Sequence, residues 1–563
     1  MKGKNCEMGA VIFLLCALVG VGGSLFGYDI GVISGVLVMD DFVSEFDLTA
    51  SVWKSAAVVS VFVAGNLLGA AASTVLANWI GRRFTLATGS LIFLVGGAAQ
   101  TFATNFYILL VGRIVAGLGI GLLTMVVPLL ISEYAPALLR GQMVSFNQIA
   151  MTGGIMVAFW VSYSLKTTQY GWRYTLGAQC IPAIVLLVGI VFLPHSPRWL
   201  VQQGREHEAL SVLSLLRRGS KAVPSPDSAA STSTRDGTAA GPGLVDIQQE
   251  LLEIQTTVRS EKSAPWSSFC TRRVSLRLLV TGVCLQLGQN LTGINAIMYY
   301  APSIFQVFGF EANKAGLLAQ GINGVVNFLS TFLAFFFVDR CGRKTLLIIG
   351  AAGMALSMCT LGVVGIAFGE LVPQGNAAPL PDKLVMPPAA GYVAIASVYF
   401  YVVNFAYSWG PVCWLMPTEL FPLKQRARGV GMTTTANFLC NLVVAELFPF
   451  ALGALRFKVF LVFAALNAAL VLFSVFVVPE TRGKSLEALE RELAGEPRAA
   501  VGVDNDSYLP LRGEGGSGGL GSPGKGDAVV LQEPVADAEQ RKSRRGGGRK
   551  TSSRADEFPA TKM

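Results

Sequence analysis

The chain has 563 residues, a formal net charge of +9, 52% hydrophobic residues and only 14% charged ones. Soluble proteins carry roughly 25% charge, so an ordinary water-facing surface is excluded for most of this length. Nine scattered cysteines have the spacing of neither a disulfide framework nor a zinc site and read as free thiols.

In chain order, twelve stretches of roughly 17 to 35 residues contain no Asp, Glu, Lys or Arg: 8–28, 55–81, 84–112, 114–132, 141–165, 174–194, 278–310, 315–338, 345–369, 384–418, 429–445 and 459–479. Crossing ~30 Å of hydrocarbon takes a helix of about 20 apolar residues, and only helices or closed barrels satisfy backbone groups there. The pattern predicts an all-α membrane protein, with six transmembrane helices, a polar interval and six more. The expected boundaries are 1–194 for the first half, 195–275 for a linker with short helices, 276–479 for the second half, 480–494 for a cytoplasmic helix and 495–563 for a disordered tail. Segment 8–28 follows two lysines without a small-residue cleavage site, so it reads as a retained span.

Arg82, Arg83, Arg140, the interval 194–275, Arg343, Lys344, Arg426, Arg428 and the tail share one side, which the positive-inside rule assigns to the cytoplasm together with both termini. An acidic loop with Asp40, Asp41, Glu45 and Asp47 opens the other side. Within the interval, 205–218 and 244–260 have apolar residues at helical spacing and read as short amphipathic helices flanking a Ser/Ala/Pro/Gly tract, 219–243.

The halves repeat. Gly81-Arg82-Arg83 follows the second span and Gly342-Arg343-Lys344 the eighth; Glu133 stands seven residues before Arg140, and Glu419 seven before Arg426. Parallel six-helix repeats describe transporters that rock about a central site. Topology signalling alone accounts for one such basic motif. Four in register point to a cytoplasmic charge network of Arg82, Arg83, Glu133, Arg140, Arg343, Glu419 and Arg426 that pairs when that side is closed.

Amides gather where a channel through the bundle would run: Gln148 in span five, Gln286, Gln289, Asn290 and Asn295 in span seven, Asn327 in span eight, and Asn437 and Asn441 in span eleven. A buried amide without partners costs several kcal/mol. Asn and Gln both donate and accept, which suits a neutral ligand dense in hydroxyls, and Trp414 offers a flat face for a sugar ring. Helix-to-helix glue is the plainer role for such residues, worth ~0.6 kcal/mol each. Asp29 in span one and Arg113 in span four lie deep in apolar sequence, where each alone would cost ~2.5–3.5 kcal/mol. They are expected to face each other, either as a static tie or as a pair whose separation lets Asp29 take a proton. No metal site, cofactor site or nucleophile–base set stands out, so an enzyme is not expected. The positive charge reflects cytoplasmic segments rather than nucleic-acid binding.

With these residues in place, the chain over about 10–494 resembles the sugar porters of the major facilitator superfamily. The resemblance rests on Gly27-Tyr28-Asp29, the two Gly-Arg-Arg/Lys corners, Pro194-His-Ser-Pro-Arg198-Trp199, Gln289-Asn-Leu-Thr-Gly-Ile-Asn295, Trp409-Gly-Pro-Val-Cys-Trp414 and Pro479-Glu-Thr-Arg-Gly483. It implies the major facilitator fold, sugar hydroxyls held at Gln148, Gln289, Asn290, Asn295, Asn327, Trp414 and Asn437, and Phe26 lining the site. It also implies an outer gate at Tyr299 and Tyr300 and proton coupling through Asp29 and Arg113. His195 departs from the family's usual glutamate. The expected function is alternating-access transport of a monosaccharide, a hexose such as glucose, with proton symport. A facilitative uniporter and a non-transporting sugar sensor are the alternatives. The expected partners are sugar, proton and lipid, with a monomer as the working unit in the plasma membrane.

Overall fold

The computed structural model describes residues 10–48, 52–135, 140–217, 242–262, 273–307, 317–372, 383–385, 387–421 and 426–481. Span one is Ala10–Val36, span two Val52–Trp79, span three Arg82–Thr101, span four Phe106–Tyr134 and span five Arg140–Leu165. Span six joins Gly171–Ala178 to Cys180–Gly189. Span seven is broken into Arg273–Leu291 and Ile294–Val307; spans eight and nine are Leu317–Cys341 and Arg343–Phe368. Span ten is broken into Pro388–Tyr407 and Trp409–Leu420, and spans eleven and twelve are Arg426–Leu455 and Lys458–Phe476. Twelve transmembrane helices thus form two sets of six. Eleven are individually long and apolar enough to cross a bilayer. Span seven falls short because it is divided at Gly293, at φ +95°, and because Arg273, Arg277, Gln286, Gln289 and Asn290 make its first segment polar.

The charge-free stretches erred where charge and turn do not coincide. Stretch 84–112 runs through a turn at 102–105, and span four begins at Phe106 because Asn105 caps its first turn, its side chain accepting from Ile108 N. Arg113 and Asp29 had cut spans four and one short, yet both lie within continuous helix. Stretch 384–418 starts too early, since Lys383–Val385 pairs antiparallel with Glu370–Val372 in the loop before span ten. That strand pair is a small departure from an all-helical chain.

Packing of the first half relies on small residues. A Cβ at Gly69 would meet the Leu118 carbonyl at 2.2 Å, and one at Gly117 the Phe62 carbonyl at 2.2 Å. Spans two and four therefore touch backbone to backbone, as small residues permit in lipid, where no hydrophobic drive separates helix from tail. Between halves, Phe328 of span eight lies 3.3 Å from where a Gly153 Cβ in span five would stand, and Thr74 of span two 3.2 Å from that of Gly431 in span eleven.

Pro197–Gln202, Glu206–Arg217 and Pro242–Lys262 follow span six as short helices, the first started by Ser196 accepting from Trp199 N. The side chains of Arg140 and Arg426, most of tract 219–243, helix 480–494 beyond residue 481 and the tail 495–563 lie outside the described residues. So do Cys6 and Cys270, while the other seven cysteines are free.

Candidate transport site

The break in span seven is pinned from two sides. Tyr401 Oη of span ten and Asn467 Nδ2 of span twelve donate to the Thr292 carbonyl at 2.9 and 3.0 Å. Helix interruption frees carbonyls that hydrocarbon cannot satisfy, so neighbouring side chains must. Span ten breaks at Ser408, and there Gln289 Nε2 donates to the carbonyls of Trp409 and Gly410, 3.2 Å each.

Around these breaks the amides of spans seven and eleven close one network. Asn437 Nδ2 donates to Gln289 Oε1 at 2.8 Å and to Gln286 Oε1 at 2.7 Å. Gln286 Nε2 donates to the Cys413 carbonyl at 3.0 Å, and Asn290 Nδ2 to the Asn437 carbonyl at 3.0 Å. Asn295 Nδ2 donates to Asn290 Oδ1. Gln286, mentioned in the sequence but not among the expected ligands, is the hub of this set. Its signal was its place one turn before Gln289 and Asn290.

The remaining expected residues stand apart from that network. Gln148 and Asn327 leave their side-chain amides unbonded among the described residues, and Trp414 is half-buried in the second segment of span ten. Phe26 meets Phe438, the neighbour of Asn437, edge-on at 6.2 Å, so it brings span one of the first half to the cluster. Tyr299 and Tyr300 are buried in the second segment of span seven. Tyr300 Oη donates to the Ala445 carbonyl at 3.1 Å, and Asn441 Nδ2 to Tyr299 Oη at 3.5 Å.

Asp29 and Arg113 face each other. Arg113 Nη1 donates to both Asp29 oxygens, at 2.8 and 3.0 Å, with both side chains fully buried. Arg113 Nε donates to the Val58 carbonyl at 3.0 Å, and its guanidinium lies 4.3 Å over the Phe62 ring. A desolvated cation is steadied by such a π face. Tyr299, buried in the second segment of span seven, is bonded to Asn441, one turn beyond Asn437 in span eleven.

On the basic side the two corners are alike. Arg82 Nε and Nη2 donate to Glu133, with 3.0 Å the shortest distance, and Arg82 Nη1 donates to the Ala77 carbonyl. Arg343 Nε and Nη2 donate to Glu419, again 3.0 Å at the shortest, and its Nη1 donates to the Val338 carbonyl. Each pair lies within its own half. Arg83 does not join its glutamate and donates instead to the Val191 carbonyl at 3.1 Å.

The sequence profile of the Sugar (and other) transporter family matches residues 15–493. The chain belongs to that family. The galactose-proton symporter of Escherichia coli K12 is 35% identical over 485 residues, 86% of this chain and 95% of that protein. Sugar transport protein 2 of Arabidopsis thaliana is 32% identical over 522 residues, covering 88% and 96%. Among solved structures, the proton:xylose symporter XylE bound to 6-bromo-6-deoxy-D-glucose superposes with a TM-score of 0.69 at 30% identity, covering 86% of this chain and 99% of its own. The fold is therefore that of the major facilitator superfamily.

Proposed function

We propose that this transporter moves a monosaccharide, with a hexose such as glucose as the leading substrate, by alternating access coupled to proton symport. The observation that carries the reading is a fully buried Asp29–Arg113 pair in the first half together with a mutually bonded amide network in the second. The amides would bind hydroxyls, Gln148, Gln289, Asn290, Asn295, Asn327 and Asn437 in number, with Trp414 and Phe26 as apolar walls. The mutual bonds of Gln289, Asn290, Asn295 and Asn437 hold those four in place before the ligand arrives, which lowers the ordering cost of binding. Tyr299 and Tyr300 close the outer side. The similarity to symporters of galactose and xylose supports both sugar and proton as cargo.

In the coupled cycle Asp29 accepts a proton when Arg113 withdraws and loses it when the pair re-forms. One charge falling through 100 mV yields ~2.3 kcal/mol, about fiftyfold accumulation. The basic side would face the cytoplasm, with both termini there, in a plasma membrane. The basic-side charge pairs, each inside its own half, would fix the shape of the two facing surfaces when that side is shut and rearrange when it opens.

One observation favours uniport. Arg113 is also tied to Val58 and Phe62, which suits a permanent strut. Sugar-induced alkalinisation of the medium around cells expressing the protein separates the two. Uptake without alkalinisation removes the coupled reading. Under symport, Asp29→Asn abolishes accumulation and spares sugar–sugar exchange. Competition by D-glucose, D-galactose, D-fructose and D-xylose identifies the cargo.

A further inference from the structure

Spans one, three, four and six enclose a second group of polar side chains that the amide network does not touch. Gln100, at the acidic end of span three, and Gln179, at the joint of span six, are both 0% exposed. Gln179 Oε1 and Nε2, Gln100 Oε1 and Arg113 Nη2 have no hydrogen-bond partner among the described residues. A dry, unpaired amide costs about 1–3 kcal/mol by protein mutational measures, and buried polar groups are ordinarily met by protein or by water.

Backbone and side-chain contacts chain these groups together. Gln100 Nε2 donates to the Gly112 carbonyl at 3.3 Å, which ties it to the turn of span four that carries Arg113. A Cβ on Gly97, one turn before Gln100, would stand 3.4 Å from Gln179 Nε2, so the two glutamines share a seam. Thr175, one turn before Gln179, accepts from Tyr28 Oη at 3.1 Å, and Tyr28 adjoins Asp29. Nearer the acidic side, Trp172 Nε1 is also buried and unpaired, and Arg173 Nη2 sits 3.6 Å from Glu45 of the short helix Asp40–Glu45.

We propose that this seam is a hydrated proton inlet running from beneath the helix Asp40–Glu45 past Gln179 and Gln100 to Asp29, separate from the sugar pocket. It rests on the symport reading above. A hydronium enters along waters held by the two amides and gives its proton to one Asp29 carboxylate oxygen as the Arg113 bond to that oxygen breaks. The amides orient the waters and do not ionise. Spans two and seven contribute Phe62 and Tyr299 around the pair, and neither lies on this route. Sugar and proton thus arrive by different paths, the one at the amides and the other at Asp29.

The test uses the full chain in proteoliposomes, with labelled D-glucose, D-galactose and D-xylose and an interior pH dye. Wild type that accumulates none of them with proton influx removes the symport reading itself. With wild type coupled, Gln179→Leu is expected to slow proton-driven uptake about tenfold, the scale of one hydrogen bond withdrawn from a buried water. Sugar–sugar exchange stays within about twofold, because the proton need not leave, and Gln179→Asn restores most of the driven rate. Equal loss of both activities, or no loss in either, overturns the inlet. Thermal unfolding in detergent gives an independent reading. A dry seam would be stabilised by Gln179→Leu, so a raised midpoint with unchanged driven uptake also overturns it.

Discussion

The two basic-side corners are built on one plan and finished differently. In the second half, Glu480 accepts from the backbone N–H groups of Arg343 and Lys344 at 3.0 and 3.1 Å, closing the open start of span nine with a carboxylate. Thr481 Oγ1 adds a donor to Glu419 at 2.6 Å. In the first half His195 occupies the matching place, stacked on Trp199 at 5.1 Å and tilted against Phe84 at 5.5 Å. The turn glycines match, at φ +90° for Gly81 and +87° for Gly342, yet a Cβ there would meet the Trp199 indole at 2.8 Å in one half and the Glu480 carboxylate at 2.6 Å in the other. One corner is therefore fastened by charge and the other by aromatic packing around a buried ion pair. Glu133 has 3% of its side chain exposed, against 27% for Glu419. The same ion pair is thus secured by desolvation in one half and by extra hydrogen bonds in the other.

Glu133→Gln should cause the largest loss. Arg82 would then be buried without its countercharge, a change that costs about 3 kcal/mol at the low end for such pairs. Glu419→Gln should cost about 1 kcal/mol, because water reaches that pair. Thermal unfolding of the two purified variants measures the gap, and equal midpoints would break the comparison. Glu480→Gln falls between these two, at about 1–2 kcal/mol, since a neutral amide can replace only one of two charge-assisted bonds. Its effect should be largest in hydrogen exchange at the start of span nine.

The smallest effect concerns His195. Burial, followed by Arg83 and Arg205, lowers its pKa from the ordinary 6.5, while Glu208 opposes. Because the folded imidazole binds a proton less readily than the unfolded one, stability is undiminished above about 6.5 and falls as pH drops from there toward the lowered value. His195→Glu should remove that acid-side loss and add about 0.5–1 kcal/mol by capping span three with an anion. A pH series of unfolding midpoints from 7.5 to 5.5 reads both signs; a wild-type curve as flat as the variant's would show that His195 does not titrate in this window.

Much of this was legible in the sequence because hydrocarbon punishes charge. Asp29 and Arg113 could be paired from isolation alone, and the repeat of Arg82 and Glu133 in Arg343 and Glu419 foretold both corners. Amide placement was harder to read. Gln289, Asn290, Asn295 and Asn437 do converge, but which atoms satisfy one another depends on helix rotation and on the broken backbone at Ser408 and Thr292. Gln100 and Gln179 escaped notice because a single amide within an apolar run carries no periodic signal. Span ends were misplaced wherever turn chemistry, as at Asn105, did not coincide with charge.

The tethered interruption of span seven sets the scale of gating. With the Thr292 carbonyl fastened to spans ten and twelve, the segment beyond the break is Ile294–Val307, 14 residues, itself tied to span eleven through Tyr299 and Tyr300. At 1.5 Å per residue that arm is about 21 Å long, and a swing of about 10° carries its tip nearly 4 Å. Hinge rotation at Gly293 would thus have to break the Tyr300–Ala445 bond, which makes that bond the latch on the arm.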